Sequence, residues 1–107
     1  MAELHIKKLK CVKKDDVIGR DEASLQVDGV TISGPHTLGK GDAVTLTAKR
    51  TFTGSIKVTL VDEDGGKDDV LGSVTITETQ AGIGDLLAFF NALPGADYHM
   101  TYDVHGS

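Results

Sequence analysis

The chain has 107 residues, 39% of them hydrophobic, and a formal net charge of −5, which fits one soluble domain around one core. The acidic balance argues against a nucleic-acid partner, whose binders usually carry a basic face. The single cysteine excludes an internal disulfide, and no apolar run nears the roughly 18 residues of a membrane-spanning helix. With three Phe, two Tyr and no Trp, the core must be built mainly from Val, Ile, Leu and Ala. Thirteen Gly among many Thr and Val suit short strands joined by tight turns. The opening MAELHIKKLK lacks the apolar stretch of a secretory signal. The expected location is therefore cytoplasmic, with export by a signal-independent route as the alternative.

The first strand is predicted at about 3–12. Leu4 and Ile6 alternate, then Leu9 and Cys11 fall out of phase, which predicts a bulge near Lys7-Lys8. Lys7, Lys8, Lys10, Lys13 and Lys14 read as solvated edge positions and Cys11 as an inert core thiol. A second strand at 23–27 carries Leu25 and Val27. Asp28-Gly29 then signals a hairpin into a third strand at 30–33, with Val30 and Ile32. The Gly- and Pro-bearing 34–41 reads as a loop before a strand with Val44, Leu46 and Ala48. A turn at Thr53-Gly54 returns the chain through Ile56, Val58 and Leu60. A further strand at 70–77 carries Val74 and Ile76. Asp85–Asn91 reads either as a short helix or as an eighth strand, bounded by Gly82, Gly84 and Pro94-Gly95. Its Leu86, Leu87, Phe89 and Phe90, with Leu93, read as a cover for the core. The last strand, 97–104, aligns Tyr98, Met100, Tyr102 and Val104 on one face. The pattern predicts an all-β chain: one antiparallel β-sandwich of seven or eight strands over 1–107.

Nine of the sixteen acidic residues lie in two bursts, 15-DDVIGRDE-22 and 62-DEDGGKDD-69. Antiparallel neighbours reverse direction at each connection, so alternate connections share one end of a sandwich. The connections 13–22, 34–42 and 62–69 are the first, third and fifth, and should cluster. The Asp28-Gly29 and Thr53-Gly54 turns should sit at the other end. If 84–91 is a strand, the turn before Asp97 joins the acidic end as well.

Clustered carboxylates repel, and such a cluster is most readily kept around a cation. Hard oxygens in flexible Gly-bearing loops suit calcium, which takes about six to eight oxygen ligands. Asp62 and Asp64, two apart at a strand end, face one side. Gly65-Gly66 permits a tight turn, and Asp68 and Asp69 return towards the first pair. The other burst adds Asp15 or Asp16, and Asp21. Glu22 and Glu63 have the opposite parity, Glu22 behind the ligands and Glu63 facing solvent. An EF-hand is excluded because the twelfth position from Asp62 is Ser73. Zinc is disfavoured because His5, His36, His99 and His105 are scattered. No phosphate-cradling Gly-Lys loop accompanies the carboxylates, as a magnesium–phosphate site would require.

Two segments carry a family resemblance. Asp16-Val-Ile-Gly-Arg-Asp21, followed by a strand, resembles the first calcium loop of C2 domains. Asp62-Glu-Asp64, then Asp69-Val-Leu-Gly72, is similar to their third. The resemblance spans about 3–77. It implies a C2-like Greek-key sandwich of the compact bacterial kind, with Asp16, Asp21, Asp62, Asp64 and Asp69 at calcium-ligand positions. The interval from Asp64 to Asp69 is one residue shorter than is usual there, and Glu22 stands where a Pro is common.

The leading function is a calcium-binding module whose two acidic loops coordinate one to three Ca2+ ions and become ordered. One alternative is a structural or protein-interaction sandwich, self-associating or bound to a protein partner, with calcium only stabilising it. Another is calcium-dependent docking to anionic membranes, for which Val17 and Ile18 offer apolar loop tips. No nucleophile–base set is evident, so the chain is not expected to be an enzyme.

Overall fold

β-Branched residues and strict alternation drive nearly the whole chain into strands. A computed structural model describes residues 1–13, 21–64, 67–92 and 95–106, apart from the side chains of Asp64 and Lys67. The strands are β1 (Ala2–Lys13), β2 (Asp21–Val27), β3 (Val30–Leu38), β4 (Ala43–Phe52), β5 (Ser55–Asp64), β6 (Lys67–Thr77), β7 (Leu86–Phe90) and β8 (Asp97–Gly106), with one 3-10 turn at Glu78–Gln80. They form two four-stranded sheets of order β4-β1-β8-β7 and β3-β2-β5-β6, and every strand pair is antiparallel. The protein is an all-β sandwich. Leu4, Ile6, Leu9, Leu25, Leu60, Ile76, Phe90 and Met100 are all buried between the sheets. Full burial of each such side chain stabilises the fold by about 1.5–3 kcal/mol.

The expected bulge in β1 is present: the register to both β4 and β8 shifts between Ile6 and Lys8. It lets Leu4 and Ile6, then Leu9 and Cys11, all face inward.

Two expectations are revised and one open alternative is decided. β1, with its lysines, is a central strand between β4 and β8 and not an edge. The segment 34–38 is strand rather than loop, because shifts around Leu25 allow β2 to keep pairing as far as Asp21↔Leu38. Glycine is needed there: a Cβ on Gly34 would lie 2.7 Å from the Ala23 carbonyl oxygen. His36 is consequently a strand residue, its Nε2 lying 2.8 Å from Ser33 Oγ. At 84–91 the strand alternative holds, since β7 pairs with β8 from Leu86↔Tyr102 to Phe90↔Tyr98. Ala88 and Phe90 cover the core, whereas Leu87 and Phe89 face out, 51% and 50% exposed.

Register also fixes the two ends. Lys13 pairs with Asp97, Lys10 with Ala43, Ala23 with Asp62 and Asp64 with Lys67. The start of β2, the end of β5 and the start of β6 therefore share one end with the start of β4 and the start of β8, as the parity argument requires. Gly39–Asp42 is tied to that end by Cys11 N–H donating to the Asp42 carbonyl and Gly41 N–H to the Cys11 carbonyl, both at 2.8 Å.

Candidate metal centre

β2 presents Ala23, Leu25 and Val27 to the core, and the next position in that row is Asp21. β5 presents Val58 and Leu60, and the next position is Asp62. Both carboxylates thus extend core-facing rows, and both residues have 0% exposure. Ala23 pairs with Asp62, and Asp62 with Asp69 on the far side. Three aspartates therefore lie on three adjacent strands at one end of one sheet.

Each buried carboxylate is held by a described hydrogen bond. Glu22 N–H donates to Asp62 Oδ1 at 2.9 Å. The Tyr98 hydroxyl donates to Asp21 Oδ2, crossing from β8 in the opposite sheet. Burial, with the hydrogen bond to Asp21 and one to the Cys11 thiol, pushes the Tyr98 hydroxyl far above the ordinary tyrosine range. Tyr98 therefore keeps its proton and donates a hydrogen bond to Asp21, which orients that side chain.

β6 reaches this end through a bulge. Leu60 pairs with Gly72 but Val61 with Val70, so Leu71 is the extra residue and turns into the core with 0% exposure. Gly72 lies against β7, where an added Cβ would sit 2.8 Å from Phe90 Cα. The Asp69-Val-Leu-Gly72 segment thus has a local physical basis: Asp69 beside Asp62, Leu71 in the core, Gly72 under β7.

The remaining expected ligands divide. Asp68 is exposed and pairs with Glu63 on the outward row. Asp64 is the last residue of β5, two beyond Asp62. Asp15 and Asp16 lie outside the described residues, as do Val17 and Ile18. Glu63 is half-buried rather than solvent-facing, because Ser24 Oγ donates to its Oε2 at 2.6 Å. Glu22 accepts from Thr37 Oγ1 at 3.0 Å. Sequence reasoning missed both the Tyr98 and the Ser24 contacts. The only available signal was the inward parity of Tyr98 at the start of the last strand.

Solved structures share this architecture. A C2 domain superposes with a TM-score of 0.62 at 15% identity, over 99% of this chain and 100% of its own. The chain has a C2-like fold. The C2A- and C2B-domains of extended synaptotagmin 2 match with a TM-score of 0.54 at 16% identity, over 96% of this chain and 40% of theirs. Human GIVD cytosolic phospholipase A2, in complex with methyl γ-linolenyl fluorophosphonate and terbium chloride, matches with 0.57 at 13% identity, over 99% of this chain and 17% of that one. No family model matches the sequence, and no curated protein matches it.

Within the C2-like sandwich the carboxylates described at this end, Asp21, Asp62 and Asp69, offer oxygen donors. The carboxylates of Asp21, Asp62 and Asp69 suit a hard divalent cation in kind, but their ligand atoms are not gathered within 4.8 Å of one another. Asp21, Asp62 and Asp69 are the described residues that would hold it. The ion would supply positive charge and bind the start of β2 to β5 and β6.

Proposed function

We propose that this C2-like domain is a non-enzymatic calcium-binding module. Asp21, Asp62 and Asp69, with Asp15, Asp16 and Asp64 from the same two loops, hold one to three Ca2+ ions, whereas Asp68, expected as a ligand, lies on the outward row and is left out. The observation that carries the reading is the pair Asp21 and Asp62, both wholly buried on adjacent strands at the acidic end. An all-oxygen set selects calcium over zinc, and the run of carboxylates exceeds what magnesium usually takes from a protein. A calcium-bound structure of the extended synaptotagmin 2 C2 pair, with a TM-score of 0.51, lends support by analogy of fold.

The test is thermal unfolding in excess EDTA, then in calcium, then in magnesium, with calorimetric titration to count ions. The expected result is a calcium-selective rise in melting temperature that Asp62→Asn with Asp64→Asn abolishes. No shift and no heat of binding would overturn the proposal.

A protein-interaction role is favoured as the second reading by β7. It is an edge strand, and Leu87, Phe89 and the neighbouring Ile83 are half-exposed or more. Sedimentation with anionic liposomes, with and without calcium, separates this role from membrane docking. Calcium-dependent co-sedimentation would assign the module to membranes.

A further inference from the structure

A second group of ligating side chains lies at the other end of the domain, on the outer face of β1 and β8. Register pairs Glu3 with His105 and His5 with Asp103. These four residues alternate with the buried Leu4 and Val104, so they form a two-by-two block on the solvent side. Eight residues separate His105 from Asp97, which puts the block roughly 25 Å along β8 from the acidic end at about 3.3 Å per residue.

Three observations point to a ligand. The ligating atoms of His5, Asp103 and His105 all lie within 4.8 Å of one another. The imidazoles of His5 and His105 are already ordered by stacking, centroids 4.0 Å apart and planes 28° from parallel. Most telling is Asp103. Its side chain is 13% exposed, and its Oδ1 is buried without a hydrogen-bond donor among the described residues. A buried carboxylate oxygen with no donor is uncommon and costly, and a bound cation removes the cost.

One carboxylate outside the trio also orients an imidazole, and Asp103 contacts the other. Glu3 Oε1 is 2.5 Å from His5 Nε2, and Asp103 Oδ2 is 3.1 Å from His105 Nε2. Carboxylate–imidazole pairs of this kind fix the tautomer and raise ligand basicity in metal sites. Two imidazole nitrogens and a carboxylate oxygen form a borderline donor set, suited to zinc rather than calcium or magnesium.

We propose that His5, Asp103 and His105 form a zinc-class transition-metal site, with Glu3 orienting His5, and that the bound ion clamps β1 to β8. Lys7 regulates it. Its Nζ bonds Asp85 at 2.6 Å and lies 3.4 Å from Asp103 Oδ2, so its positive charge competes with the metal for that carboxylate. The site is independent of the acidic end and does not rest on the calcium reading.

The test is calorimetric titration of metal-stripped protein with Zn2+ in the presence of saturating Ca2+. The expected result is one saturable site that His105→Ala weakens by about ten- to a hundredfold, whereas Lys7→Gln tightens it. Because His105 is exposed, its replacement leaves the fold intact, which thermal unfolding in EDTA checks. Visible absorption of the Co2+ form gives a second readout, with the bands expected to be lost in His5→Ala. Zinc binding that survives both histidine replacements overturns the proposal. So does zinc binding abolished by Asp62→Asn alone, and so does the absence of saturable binding.

Discussion

The acidic end and the outer face of β1 and β8 handle charge in opposite ways. At the acidic end, Asp21 and Asp62 occupy core-facing positions and are sealed from water, with Tyr98 reaching across the sandwich to orient one of them. On the outer face, Glu3, His5, Lys7, Asp103 and His105 form a solvent-edge network of mixed sign. In the first region the carboxylates are desolvated and held by hydrogen bonds from Glu22 N–H and the Tyr98 hydroxyl, which offset the cost of burial. The second region offers nitrogen donors, and its charges are already partly compensated by neighbours. One small sandwich thus presents two groups of ligating side chains of different chemistry at opposite ends.

The largest effect expected from breaking this contrast is on calcium. At a hundredfold excess over Kd one bound ion stabilises by about 2.7 kcal/mol, a rise of roughly 10 °C in melting temperature for a domain of this size. Asp21→Asn with Asp62→Asn should remove it, and His105→Ala should leave it unchanged; calorimetric scans with calcium and with EDTA check both. Next is Gly72→Ala. Its added methyl would meet the β7 backbone at Phe90, so a loss of about 1–3 kcal/mol is expected from overpacking, read as a lower urea midpoint. Tyr98→Phe removes a donor from a buried carboxylate and should cost about 1.5–3 kcal/mol in EDTA, measured by the same denaturation. In calcium the cost should shrink, because the ion then compensates Asp21.

The smallest effect belongs to Glu78, at the Gly54 turn and away from the acidic end. Gly54 N–H donates to its carboxylate at 2.7 Å, and this bond first, then the Met1 amine, holds its pKa below the ordinary glutamate value. A depressed acid stabilises the fold above its unfolded pKa, and the contribution fades as pH falls through the folded value. Denaturation midpoints of the wild type and Glu78→Gln should therefore differ at neutral pH and converge in acid.

Local pattern alone determined much of this protein. Period-two alternation located most strands, the phase break after Ile6 marked the β1 bulge, and connection parity brought Asp21 and Asp62 to one end. Those features are legible because each depends only on neighbours along the chain or on direction reversal. The length of β3 was not legible, since 34–38 pairs only because Gly34 lets β2 approach. The choice of strand over helix at 86–90 was equally hidden, because Leu-Leu-Ala-Phe-Phe satisfies both periods and only β8 decides. Tertiary structure alone revealed the Tyr98–Asp21 bond between sheets and the His5–Asp103–His105 group. Their members lie 77 and about 100 residues apart, and no local signal couples residues that meet only when the two sheets pack or when the first and last strands pair.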